Sequence, residues 1–202
     1  MTAATSTDTY NVAVGHNAGL SVSTGIKNTL IGGQAGDALT TGSYNVAVGS
    51  EALSTEDGHG ANVAIGYRSL KALNAGAEGY NVAIGYEAGK SLSTGTNNTI
   101  IGGLAGDALT IGNNNIAIGY STLGAETLGD RNVAIGNFAL QVQNNTSNVD
   151  TYNTAVGYAA LNQNTSNYNT AIGYEALLRN VGAAQNTAVG YRSSYNNTTG
   201  TN

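Results

Sequence analysis

Asn45-Val46-Ala47-Val48-Gly49 is too short to decide a fold by itself, but the chain writes it again and again. The pattern Asn-x-(Ala/Leu/Ile)-(Val/Ile)-Gly begins at Asn11, Asn28, Asn45, Asn62, Asn81, Asn98, Asn115, Asn132, Asn153, Asn169 and Asn186. Successive starts lie 17, 17, 17, 19, 17, 17, 17, 21, 16 and 17 residues apart. A small residue stands seven places after every Asn (Ala18, Ala35, Ala52, Ser69 and onward to Ser193), often followed by Leu, as at Leu53, Leu70, Leu140, Leu161 and Leu177. A longer period overlies the short one. NTLIGGQAGDALTTG from Asn28 returns as NTIIGGLAGDALTIG from Asn98, seventy residues on, the mark of a duplicated four-coil block.

Each five-residue core has strand chemistry. β-branched residues suit a pleated surface, and alternate side chains point to opposite faces. Frequent Gly and the lack of a sustained apolar stripe at helical spacing argue against helix. A unit of about 17 residues cannot bury a core alone. It can form one coil whose backbone pairs with the coils above and below. The expectation is an all-β parallel solenoid of about eleven coils of 16–21 residues, spanning 10–195, with 1–9 as a leader and 196–202 as a tail. Within the strand, Val46 and Val48 are read as facing the core and Ala47 as facing away. The outer position then holds Ala13, Leu30, Ala47, Ala64, Ala83, Ile100, Ala117, Ala134, Ala155, Ala171 and Ala188. A strand apolar on both faces is buried on both faces, so copies of the rod are expected to pack along one another.

The recurring Gly (Gly49 and its equivalents) is expected at positive φ or where another backbone comes close. The recurring Asn tolerates left-handed backbone and, stacked in register, can form an amide ladder between coils.

Composition removes several classes of function. Charged residues are 9% and net charge is −5, with seven basic residues scattered along the chain. Nucleic-acid binding is not expected, because phosphate neutralisation needs clustered Lys and Arg. The absence of Cys rules out disulfides and thiolate metal sites. No apolar run approaches the ~18 residues of a membrane span, and the start lacks the regions of a secretory signal.

The motif NVAIGYRSL at Asn62, with NVAIGYEAG, NTAVGYAAL and NTAIGYEAL, resembles the head repeats of trimeric autotransporter adhesins of the YadA-like kind and the related repeats of phage tail fibres. The likeness covers roughly 10–195. It implies a left-handed parallel β-roll, a parallel homotrimer, an extracellular or virion-surface location, and a role in adhesion or host recognition, with a bacterial surface adhesin head as the alternative to a phage fibre. The repeat is longer than the shortest adhesin-head repeats. No heptad stalk, membrane anchor or carboxy-terminal chaperone domain is legible, which points toward a phage-like fibre.

Twelve Tyr are the informative aromatics. Tyr10, Tyr44, Tyr80, Tyr152 and Tyr168 precede the repeat Asn, while Tyr67, Tyr86, Tyr120, Tyr158, Tyr174 and Tyr191 follow the repeat Gly. Two columns of stacked rings are expected, with a glycan-binding stripe as the functional alternative. Inserts at Glu56–Gly60, Ala75–Gly79 and Gln143–Asp150 break the period, and loops carry function more often than scaffolds. Glu56, Asp57 and His59 are therefore candidate receptor-facing residues, with Asp57 beside Glu56 read as a solvated loop tip. His16 and His59 occupy non-equivalent places, and Asp37 and Asp107 offer one carboxylate per coil, thin for Ca²⁺. No catalytic residue and no cofactor are expected. An ice-binding face (Thr29, Thr99, Thr154, Thr170, Thr187) and a polysaccharide-degrading spike are the competing classes. The Thr column is interrupted, and the acidic residues are spread along the rod.

Overall fold

The computed structural model describes residues 9–143 and 150–198. Its strands are β1 (Val12–Val14), β2 (Thr29–Ile31), β3 (Val46–Val48), β4 (Val63–Ile65), β5 (Val82–Ile84), β6 (Thr99–Ile101), β7 (Ile116–Ile118), β8 (Val133–Ile135), β9 (Thr154–Val156), β10 (Gln163–Asn164), β11 (Thr170–Ile172), β12 (Arg179–Asn180), β13 (Thr187–Val189) and β14 (Asn196–Asn197). One eleven-stranded sheet takes the first strand of every coil, in the order β1 to β9, β11, β13. A second sheet of β10, β12 and β14 lines the last three coils. All pairings are parallel and in register, so Val46 lies between Thr29 and Val63, and Ala47 between Leu30 and Ala64. The chain is a parallel β-solenoid, about 50 Å long at ~4.8 Å per coil.

Pairing continues around the turns. Gly36 donates its N–H to Ala52 O at 2.9 Å, Leu53 to Ser69 O at 3.0 Å, and Tyr44 to Ile26 O at 3.0 Å. Each coil thus answers its neighbour's backbone groups well beyond the three strand residues, as buried backbone requires.

Counting the repeat Asn as position 0, the interior is filled from positions 2, 7, 8 and 11. Position 2 is Ala47, Ala64, Ala83, Ala117, Ala134, Ala155 and Ala171, all fully buried, or Leu30 and Ile100 in the two coils that depart from Ala. This reverses the facing expected from sequence. The small residue points in, and the flanking β-branched residues point out. The reason is space: Leu53, Leu70, Leu123, Leu140, Leu161 and Leu177 at position 8, with Leu39, Leu73, Leu92 and Leu109 at position 11, already occupy the narrow lumen.

Positions 2 and 8 share that lumen. Where position 2 is large, position 8 is Gly in that coil and in the coil before it: a Cβ on Gly36 would lie 2.8 Å from Leu30 Cδ2, and one on Gly19 in the preceding coil 2.7 Å from Leu30 Cδ1. Position 8 is left-handed in either case, with φ of 54° at Gly36 and 52° at Leu53. A bulky residue there costs roughly 1–2 kcal/mol, offset by the ~1.5–3 kcal/mol of burying Leu.

The strand-end Gly answers to both readings. Gly15 has φ of 130°, and a Cβ on it would stand 2.6 Å from the carbonyl oxygen of Gly32 in the next coil. The left-handed residue near the repeat Asn is not the Asn but the residue before it, including Tyr10, Lys27, Tyr44 and Tyr80, at φ of 50° to 62°.

Candidate functional surface

The outward strand positions 1 and 3 make two columns across the large sheet, position 3 wholly aliphatic and position 1 broken by five Thr. Position 1 runs Val12, Thr29, Val46, Val63, Val82, Thr99, Ile116, Val133, Thr154, Thr170 and Thr187. Position 3 runs Val14 and Ile31 through to Ile172 and Val189 with Val or Ile in every coil. Ile31, Ile84, Ile135 and Ile172 in mid-sheet keep 36–41% of their surface exposed, rising to 66% at Val189. Position 3 is thus an unbroken row of large apolar side chains on an open sheet face.

The rings after the strand Gly stack in two runs. Tyr67 and Tyr86 have centroids 5.5 Å apart at 24°. Tyr158, Tyr174 and Tyr191 follow one another at 5.2 and 5.4 Å, within 13° of parallel. Between these runs Asn137 occupies the ring position, and Phe138 supplies the aromatic one residue later, meeting Tyr120 and Tyr158 edge-on at 5.6 Å and 86°. In the column before the Asn, Tyr152 and Tyr168 stack at 5.5 Å. Lys27 lies 5.1 Å over the Tyr44 ring and Arg131 5.5 Å over Tyr152. Every Tyr of both columns is exposed on one side.

Position 6 is also left-handed and carries a partly buried charge ladder. Glu51 accepts from Arg68 Nε at 3.1 Å and pairs with Lys71 Nζ at 2.5 Å, and Glu87 pairs with Lys90 at 2.7 Å. The Lys71 and Arg68 donors hold the Glu51 carboxyl below its ordinary range. Arg192 Nε donates to Glu175 at 2.7 Å, and Arg131 pairs with Asp150.

The repeat Asn side chains face inward and join the coils. Oδ1 of Asn11 accepts the backbone N–H of Asn28 at 2.8 Å, and the bond repeats up to Asn186 N–H on Asn169 Oδ1 at 3.0 Å. Asn28, Asn81, Asn98 and Asn115 also donate Nδ2 to the carbonyls of Gly42, Gly95, Gly112 and Gly129, each at 2.9 Å. A second polar column arises at position 11. Val22, Leu39, Leu73, Leu92 and Leu109 occupy it in the first six coils, interrupted by Glu56, and Glu126, Gln143, Asn164 and Asn180 follow. Gln143 Nε2 donates to Glu126 at 2.7 Å, and Gln143 Oε1 accepts from Asn153 and Asn164 at 2.9 Å each. The aliphatic core separates into two clusters at this change, between Leu109 and Ala117.

Glu56 belongs to that interior column. It was expected at a solvated loop tip, but it is fully buried; its carboxylate accepts the N–H of His59 at 3.0 Å and of Ala75 at 3.2 Å. The His59 bond closes the loop on itself, and the Ala75 bond pins the insert of the fourth coil to the third. Asp57 is exposed and His59 half-buried. The three side chains bring ligand-type atoms within 4.8 Å of one another, with His59 Nδ1 3.5 Å from Glu56. His16 is exposed in the first coil and stands apart from them. Burial pushes the Asp37 and Asp107 carboxyls up, and Asp37 Oδ1 is shielded without a hydrogen-bond partner. Of the insert at Gln143–Asp150, residues 144–149 lie outside the described residues.

A groove on the outer turns was not anticipated. It lies over Ala159, between Phe138 and Glu175, and its only sequence signal is that the aromatic moves from position 5 to position 6 in the eighth coil and back in the ninth. Among the described residues, no helix is long and apolar enough to cross a membrane. No family model matches the chain, and neither any curated protein nor any solved structure does.

Proposed function

We propose that this protein is a non-enzymatic structural module of an extracellular or virion-surface fibre, built by lateral packing of copies of itself, three in parallel as the YadA-like and tail-fibre resemblance implies. The observation that carries the reading is the uncharged face of positions 1 and 3, aliphatic in every coil at position 3 and mixed Val, Ile and Thr at position 1. Eleven strands at ~4.8 Å and a strand width near 10 Å give on the order of 500 Å² of it, at the upper end of what soluble monomers leave open. The face runs the length of the sheet without a charged residue, so the matching occupant is another surface of the same length and periodicity, which a second copy supplies. The Tyr columns and the position-6 turns lie outside the strand residues and stay available for contact with a host or other surface, a phage-like fibre being the first choice and a bacterial adhesin head the second.

Light scattering tests the assembly. The wild-type chain should elute with a mass that is a multiple of 20.3 kDa. Ile65→Lys with Ile84→Lys should release monomers that keep the β-sheet circular dichroism of the wild type. A wild-type monomer at micromolar concentration would overturn the reading.

A further inference from the structure

We infer that the groove over Ala159 is a binding subsite for a single neutral sugar ring. It rests on the recognition half of the fibre reading but not on self-assembly, since its residues come from positions 5, 6 and 9 rather than from the outward strand face.

The groove exists because two ladders are out of step. Position 6 holds Phe138 in the eighth coil, Ala159 in the ninth and Glu175 in the tenth, all left-handed at φ of 63°, 52° and 52°. The missing side chain at Ala159 leaves a notch one coil high, open to solvent and about 330 Å³ in volume. Phe138 closes one end and Glu175 the other, with Tyr158 on one flank and Gln141, Asn162 and Leu178 on the opposite one. Phe138 meets Tyr158 edge-on, which turns the two rings at 86° to each other around the notch.

The polar wall is oriented in advance. Asn162 Nδ2 donates both to Phe138 O at 2.9 Å and to Gln141 Oε1 at 3.1 Å, and Gln141 Nε2 donates to Ser121 Oγ at 3.2 Å. With both amide hydrogens of Asn162 spent, its Oδ1 remains an acceptor without a partner among the described residues. Glu175, steadied by Arg192 at 2.7 Å, adds a carboxylate acceptor on the far side. Aromatic rings with acceptors on two sides fit a ligand that is apolar on its ring faces and rich in hydroxyl donors at its rim. A pyranose has that chemistry. Glu175 disfavours an anionic ring by like-charge repulsion.

The test uses the full chain, with methyl β-D-galactopyranoside and N-acetylglucosamine as probes and glucuronate as the charged control. Their binding is followed by the Asn162 and Gln141 side-chain amide signals in NMR. At least one neutral probe should give saturable shifts, and glucuronate should bind at least tenfold more weakly. Ala159→Gln fills the notch with a residue already found at position 6 in Gln34, at φ of 58°. It should weaken binding at least tenfold, while Ala159→Ser leaves it within twofold. No saturable shift with either neutral probe, shifts unchanged by Ala159→Gln, or glucuronate binding as well as the neutral rings would overturn the assignment. Light scattering on the same samples separates the two proposals: monomers that still bind sugar remove the assembly, and oligomers that bind none remove the subsite.

Discussion

Oδ1 of Asn98 accepts the backbone N–H of Asn115 at 2.9 Å, while Nδ2 of the same Asn98 donates to Gly112 O, also at 2.9 Å. One amide thus holds the next coil's strand entry and closes a turn, and both partners are out of reach of water. Asn98→Ala orphans a buried donor and a buried acceptor, at about 1–3 kcal/mol each. It should lower the thermal midpoint by several degrees in circular dichroism, whereas Asn97→Gly, which keeps the left-handed backbone of the exposed residue beside it (φ 60°), should leave the midpoint nearly unchanged.

The exchange of volume between positions 2 and 8 makes a second prediction. Leu30→Ala alone opens a cavity, at a cost of about 2–5 kcal/mol. Adding Gly36→Leu converts the coil to the Ala64–Leu70–Leu73 arrangement found two coils further on, where both Leu are fully buried. The double variant should regain more than half of the loss, and Gly36→Leu alone should be destabilising. Denaturant unfolding of the three variants measures the coupling.

Gln143 links three buried groups, Glu126, Asn153 and Asn164. Gln143→Leu extends the aliphatic column by one residue yet strips a donor from a buried carboxylate. Glu126 keeps the N–H donors of Leu128 and Gly129 on Oε1, but the lost donor on Oε2 outweighs the added burial, and a net loss of ~2 kcal/mol or more is expected. Glu126→Gln combined with Gln143→Leu should be less damaging than Gln143→Leu alone, because an amide costs less than a carboxylate to leave short of a donor.

Asp37 gives a pH-dependent prediction with a definite sign. Burial raises its folded-state carboxyl above the unfolded reference of 3.8, and Glu51 nearby raises it further. The folded chain therefore holds this proton more tightly than the unfolded one, so this residue favours folding at acid pH, and that contribution is lost as pH rises from 3.8 through the raised folded value. Asp37→Asn should raise the melting temperature at pH 7, and the gain should shrink to nothing below about pH 3.8. Glu51 runs the other way. Its carboxyl is held low by Lys71 and Arg68, so its contribution is present above the unfolded value of 4.5 and is lost as pH falls through the depressed folded one.

The period, the parallel stacking and the strand-end Gly column were all legible in the residues, because each is a property of the repeat itself. Which face of the strand turned inward was not, since Val46 and Ala47 are both apolar and hydropathy cannot rank them. The deciding fact is lumen width, and its trace in the sequence is the pairing of Leu30 with Gly36 and of Ile100 with Gly106, where a large residue at one position accompanies Gly at the other. Glu56 was misplaced for a related reason. A charged residue among Thr55, Asp57 and Gly58 reads as loop, and only its alignment with Leu39 and Leu73 at position 11 puts it inside. The groove over Ala159 is hard to read because it depends on one short side chain set between the long ones of its two neighbouring coils.

An engineered cysteine tests the central claim most directly, since the chain has none of its own. Val48→Cys places a single thiol at an outward position of β3, treated with a short bis-maleimide. Parallel, in-register packing of the aliphatic faces predicts efficient 48-to-48 cross-linking, while Ala47→Cys, whose side chain points into the lumen, should give none. Absence of cross-linking at position 48, or equal cross-linking at both positions, would contradict the account.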